Sequence, residues 1–140
     1  MPAVTVSLEE MLQLGDRIAQ DYFRAGWIAG FQGSLGAGKT TLSRSILGSL
    51  GFSQTLITSP TFSYLHVYDP PREDLPSVYH FDLYRMTEAS FLQLGFPEYL
   101  EDPKGVSLIE WSERLQERSP EKMQTFEMRM VGEDRRRVTW

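Results

Sequence analysis

Apolar positions along the 140-residue chain recur with two different periods, and the switches between them mark out its elements. Met11, Leu14, Ile18 and Tyr22 share one helical face, and Ser7-Leu8-Glu9-Glu10 ahead of them has capping-box spacing. Gly26 is expected to end that helix. Residues 27–31 (WIAGF) form an apolar run of strand length, followed by a glycine-rich loop and a second helix over 39–50, stopped by Gly51. Ile57 ends another short apolar segment. Residues 62–68 (FSYLHVY) alternate and are rich in aromatics, as strands are.

Three prolines within residues 69–77 (DPPREDLPS) mark the clearest loop. Residues 78–82 (VYHFD) and 106–110 (VSLIE) read as strands, with a helical segment over 88–94 between them. The chain ends on a predicted hairpin, 125–131 with 136–140, turning at Gly132-Glu133-Asp134. Strands alternating with helices predict one α/β domain over residues 1–140. The expected architecture is a three-layer α/β/α arrangement around a mostly parallel sheet, mixed because of the hairpin-like pairs.

Composition narrows the function. Apolar residues make up 41% and charged residues 24%, a balance that supports a packed core. No run approaches the ~18 apolar residues of a membrane span, and the first ten residues lack the basic and apolar parts of a secretory signal. With no cysteine there is no disulfide framework or thiolate metal site, and two histidines are too few for a histidine-built metal centre. A cytoplasmic protein is the expectation. The net charge of −5 disfavours unaided binding to nucleic acid, which draws its affinity from neutralised phosphates. The basic run Arg135-Arg136-Arg137 is expected to be a solvated strand or turn.

The loop 33–41, GSLGAGKTT, carries the chemistry. Gly33, Gly38, Lys39 and Thr40 fit G-x-x-x-x-G-K-[ST], between an apolar strand and a helix as that motif requires. Glycine permits the curl that turns successive N–H groups toward phosphate oxygens. The backbone of Leu35, Gly36, Ala37 and Thr41 completes the cradle. Lys39 supplies a point charge for the β- and γ-phosphates, and the Thr40 hydroxyl is a hard oxygen suited to Mg²⁺. The helix after the loop presents its positive end to the same anion. A nucleoside triphosphate is the predicted ligand. The chain has no asparagine, so the N-K-x-D guanine signature is absent and ATP is the expected nucleotide.

A second Mg²⁺ contact normally comes from a carboxylate at a neighbouring strand end. Asp82 and Glu110 both occupy such positions. Each has a plainer reading: Asp82 as the ion-pair partner of Arg85, Glu110 as the opening of a helical stretch over 111–117. Ser59-Pro60-Thr61 reads either as a nucleotide-sensing switch loop or as an ordinary turn.

In order, GSLGAGKTTLSR, SPTFSYLHVY, VYHFDLYRM, LGFPEYL and LIEWSERL are similar to motifs of the TsaE (YjeE) family of small bacterial phosphate-loop ATPases, over residues 33–115. The resemblance implies a part in making threonylcarbamoyladenosine (t6A) at position 37 of tRNAs. It implies a Mg²⁺-dependent ATPase that binds the TsaD–TsaB transferase pair, with tRNA reached through those partners. By the same resemblance Lys39 and Thr40 hold phosphate and Mg²⁺, Asp82 and Glu110 support the metal, and Glu110 is needed for hydrolysis. Thr61 falls in the switch-like loop, and Trp111 lies beside the site. Two other classes stay in view. A small-molecule kinase needs an acceptor pocket and usually an arginine-bearing lid, and no segment reads as a lid insertion. A nucleotide-sensing module with incidental hydrolysis leaves Glu110 without a purpose.

Overall fold

The computed structural model describes residues 1–52, 57–58 and 64–140. Its strands are β1 (Ala3–Ser7), β2 (Ile28–Gln32), β3 (Ile57–Thr58), β4 (Leu65–Tyr68), β5 (Val78–Asp82), β6 (Val106–Glu110), β7 (Gln124–Val131) and β8 (Arg135–Thr139). They join in one sheet of order β1-β8-β7-β2-β6-β5-β4-β3. The helices are α1 (Met11–Tyr22), α2 (Lys39–Ser49), α3 (Glu88–Gln93) and α4 (Phe96–Leu100), with a 3-10 segment over Ser112–Arg118.

The centre of the sheet is parallel: β2 runs with both β6 and β7, and β5 runs with β6. The flanking pairs are antiparallel. All five residues of β6 are buried, as a central strand covered on both faces requires. Two apolar clusters lie on the two faces. One joins Met11, Leu14 and Ile18 of α1 and Leu42 and Ile46 of α2 to Ala29, Phe31, Leu108 and Phe126 of the sheet. The other packs Phe91, Phe96, Leu100 and Leu115 against Ile28, Phe81 and Ile109. Alternate residues of β2 and β6 feed opposite clusters, so three layers follow from the pleat.

The capping box forms. Ser7 Oγ accepts from the Glu10 amide at 3.1 Å, and the Ser7 amide donates to Glu10 Oε1 at 3.0 Å. Helix α1 stops at Tyr22, earlier than expected, and Gly26 sits in the following turn with φ +88°. The stretch read as helix after Glu110 is the 3-10 segment, entered through Trp111 in the left-handed region. Strand β1 and helix α4 add to the elements expected from the sequence. Among the described residues, no helix is long and apolar enough to cross a membrane.

Candidate phosphate-binding site

The parallel centre brings the chemistry to one edge. The loop leaves the carboxyl end of β2, Asp82 ends β5 and Glu110 ends β6, where open α/β sheets bind ligands. Register sets the finer placement. Glu110 is the Cα partner of Phe31 on one side and of Asp82 on the other. His80 and Asp82, two apart on β5, therefore point to the same face as Glu110, toward α2.

The loop curls through Gly33, Gly36 and Gly38 at φ +150°, +81° and +99°. At Gly33 a Cβ would sit 2.3 Å from the Met128 carbonyl oxygen, so only glycine fits this approach. Gly38 takes its left-handed conformation as the N-cap of α2, which turns the helix start toward the loop. Side chains brace the loop from outside. The Gly33 amide donates to Glu113 Oε2 at 3.2 Å, and Arg136 Nη2 donates to the Gly36 carbonyl at 3.0 Å.

Lys39 is buried, and its Nζ donates to the carbonyls of Gly33 at 2.5 Å and Ser34 at 2.9 Å. The ammonium also lies 3.8 Å from the centre of the Trp111 ring. Burial pushes its pKa down, opposed by the charges of Glu113, Glu110 and Asp82. Trp111 stands on a non-glycine left-handed backbone, φ +60°, and meets Tyr84 edge-on at 4.7 Å. Strain of this kind persists where surrounding structure enforces it.

Glu110 is only 4% exposed. Thr40 Oγ1 donates to its Oε1 at 2.5 Å, and His80 Nε2 lies 2.5 Å from its Oε2. Burial alone raises its pKa, but the bond to His80, the Thr40 hydroxyl and the charge of Lys39 outweigh this and hold it below the usual carboxylate value. It is therefore no helix cap: the acid in the first turn of the 3-10 segment is Glu113. Asp82 Oδ1 accepts from the Tyr84 amide at 3.1 Å, bracing the turn after β5, and the ion pairs among the described residues do not join it to Arg85.

A cavity of about 730 Å³ unites these groups, with Leu35, Gly36, Ala37, Gly38, Lys39, Thr40 and Thr41 on one side and Asp82, Glu110 and Trp111 on the other. Its size suits a nucleotide. Among the described residues no group of three His, Cys, Asp or Glu could hold a metal ion by itself. Mg²⁺ does not need one, since it takes one or two carboxylates and completes its shell with water and phosphate. The hydroxyl of Thr40 beside the carboxylates of Glu110 and Asp82 is a hard-oxygen set of that kind. Ser59-Pro60-Thr61, and with it Thr61, lies outside the described residues.

Three participants escaped the sequence reading. Arg136, expected in solvent, is 8% exposed and lines the cavity, because β8 alternates and carries it inward while Arg135 faces out. Glu113 and His80 reach the site from a 3-10 turn and a strand interior.

These features define the class: an α/β protein with a phosphate-type glycine loop between a central strand and a helix, and acids on the adjoining strand ends. A family model described as threonylcarbamoyl adenosine biosynthesis protein TsaE matches residues 5–138. The chain belongs to the TsaE family. The tRNA threonylcarbamoyladenosine biosynthesis protein TsaE of Bacillus subtilis is 31% identical over 136 residues, covering 97% of this chain and 82% of that protein. Its namesake from Treponema pallidum is 34% identical, covering 88% and 95%. A crystal structure of YdiB from Bacillus subtilis superposes with a TM-score of 0.72 at 26% identity, over 98% of this chain and 83% of the other.

Proposed function

We propose that this protein is a Mg²⁺-dependent ATP-binding and ATP-hydrolysing accessory protein of tRNA t6A37 modification, acting with the TsaD–TsaB transferase pair. Family membership supports the pathway. The observation that carries the chemistry is the direct bond from Thr40, on the phosphate loop's helix, to the buried carboxylate of Glu110. The pairing sets the hydroxyl that follows the loop's lysine against a buried acid, the hard-oxygen arrangement that a Mg²⁺-dependent triphosphate site uses.

In this reading the loop amides and Lys39 hold the β- and γ-phosphates. Thr40 and Asp82 would hold Mg²⁺, with the Glu110 carboxylate next to them, and the ion would supply charge neutralisation on the phosphates. Glu110, ionised and with lone-pair sites beyond those used by Thr40 and His80, would accept a hydrogen bond from the attacking water and so orient it. Lys39, Trp111 and the loop carbonyls exclude bulk water from that edge.

The test of function is co-purification with TsaD and TsaB, with and without nucleotide, alongside assay of the ATP product. Capture of both partners and release of free phosphate are expected. Phosphoryl transfer to a small hydroxyl would move the protein to the kinases.

Two further results are expected here. Lys39→Ala removes the cradle's ammonium, and hydrogen bonds to charged groups are worth about 1.5–3 kcal/mol, or roughly 10- to 150-fold in affinity. Calorimetry with ATP and Mg²⁺ should record a loss of that order; unchanged affinity would place the phosphates elsewhere. The second concerns fluorescence. Trp111 touches Lys39, whereas Trp27 and Trp140 sit in the apolar cluster around Phe126. Nucleotide should therefore change the emission of the parent chain, and Trp111→Phe should lose most of that change. An undiminished signal in the variant would assign it to another tryptophan.

A further inference from the structure

His80 is 6% exposed, in the middle of β5, on the face that carries Asp82. Its register partner on β6 is Leu108, so Glu110 is its diagonal neighbour, and the pleat aims both side chains the same way. The contact that results is the 2.5 Å approach of Nε2 to Glu110 Oε2. The other ring nitrogen, Nδ1, is buried with no hydrogen-bond partner among the described residues. A buried N–H without an acceptor costs more than a buried lone pair on a ring nitrogen. The ring proton therefore belongs on Nε2, where it meets a carboxylate oxygen. His80 is a donor to Glu110.

A carboxylate at the end of a strand rotates about its last bonds unless both oxygens are held. Thr40 holds Oε1 from α2, and His80 holds Oε2 from the sheet. The Thr40 hydroxyl is also the group expected to turn to the metal, which would leave His80 as the constant restraint. No other described side chain donates to Oε2.

We propose that His80 is a positioning residue for Glu110: its Nε2–H fixes the plane of the carboxylate that orients the attacking water. This rests on the ATPase reading above. His80 itself does not line the cavity, so its removal should act on turnover and leave nucleotide affinity as it is.

Three measurements test this. In His80→Phe, which keeps the ring volume, phosphate release with TsaD–TsaB at saturating ATP should fall about 10- to 100-fold, the usual effect of losing a group that orients a ligand or catalytic side chain. The dissociation constant for ATP should match the parent. His80→Gln places an amide N–H at comparable reach and should recover most of the loss. Normal turnover in His80→Phe, equal losses in the Phe and Gln variants, or a loss of affinity in step with turnover would each overturn the proposal. The third measurement needs no hydrolysis. The proton NMR spectrum of the parent chain should contain an exchange-protected imidazole N–H resonance far downfield, assigned to His80 Nε2 and absent in Glu110→Ala. Failure to find it overturns the proposal even if the variants fold poorly. If the parent with its partners releases no phosphate while the resonance is present, the ATPase reading fails and the His80–Glu110 contact stands.

Discussion

Glu110→Ala is expected to bind ATP nearly as the parent chain does and to lose about 10²–10⁴ in turnover, the range of positioned acid–base groups. In the ATPase reading the carboxylate adds little to affinity, because the loop amides and Lys39 would supply most of the phosphate contacts. Its pKa is held below the usual carboxylate value, which makes it a weak base at neutral pH and an effective oriented acceptor. Removing it also leaves the buried His80 Nε2 without its partner and frees the hydroxyl of the exposed Thr40. Glu110→Gln controls for volume and for the Thr40 contact, since its amide oxygen can still accept from Thr40. Its NH₂ meets His80 Nε2–H and does not replace that bond. Both variants should lose turnover while their melting temperatures differ. Asp82→Ala should behave differently, weakening the Mg²⁺ dependence of ATP binding as well as hydrolysis. Rapid-quench measurement of phosphate beside calorimetry with and without Mg²⁺ separates the two acids. Normal hydrolysis by Glu110→Gln would return Glu110 to a structural role.

What the sequence revealed about this site follows from how far each contact reaches along the chain. The loop, its lysine and its threonine are contiguous, and their chemistry is written in nine residues. Strands β5 and β6 were legible to the residue because apolar runs of strand length ended on acids. What those acids touch was not legible. The contacts Thr40–Glu110 and His80–Glu110 join residues 70 and 30 apart, and both depend on a register that exists only once β5, β6 and β2 are paired.

Arg136 was hidden differently. Three consecutive arginines erase the polar–apolar contrast that reports a strand's inward face, and only Val138 and Trp140 beyond them continue the period of two. The same contrast was present in β1, where Val4 and Val6 alternate with Thr5 and Ser7, but five residues beside a strong helix signal carry little weight. Helix α4 has a proline near its start and spans five residues, too few to display a helical period.

The isolated chain is expected to be a poor ATPase, accelerated by addition of TsaD–TsaB. Charge that builds on the γ-phosphate needs a cation free to follow it, and an absent arginine finger costs about 10³–10⁵ in rate. The cations near the loop are mostly committed. Arg136 is tied to the Gly36 carbonyl, and Lys39 is capped by Trp111 and bonded to the loop's own carbonyls. Among the described residues Arg85 lines the cavity with Asp82 and Arg136, and unlike Arg136 it is not bonded to the loop. Phosphate release at saturating ATP should therefore be measured for the chain alone, for the mixture with TsaD–TsaB, and for Arg85→Ala in both settings. A slow lone chain, a large gain on mixing and a gain that survives in Arg85→Ala would locate the missing charge on the partner. A gain that vanishes with Arg85 would mean that the partner orders an arginine already present. A lone chain as fast as the mixture would end the accessory reading, because a site complete in itself needs no partner to turn over.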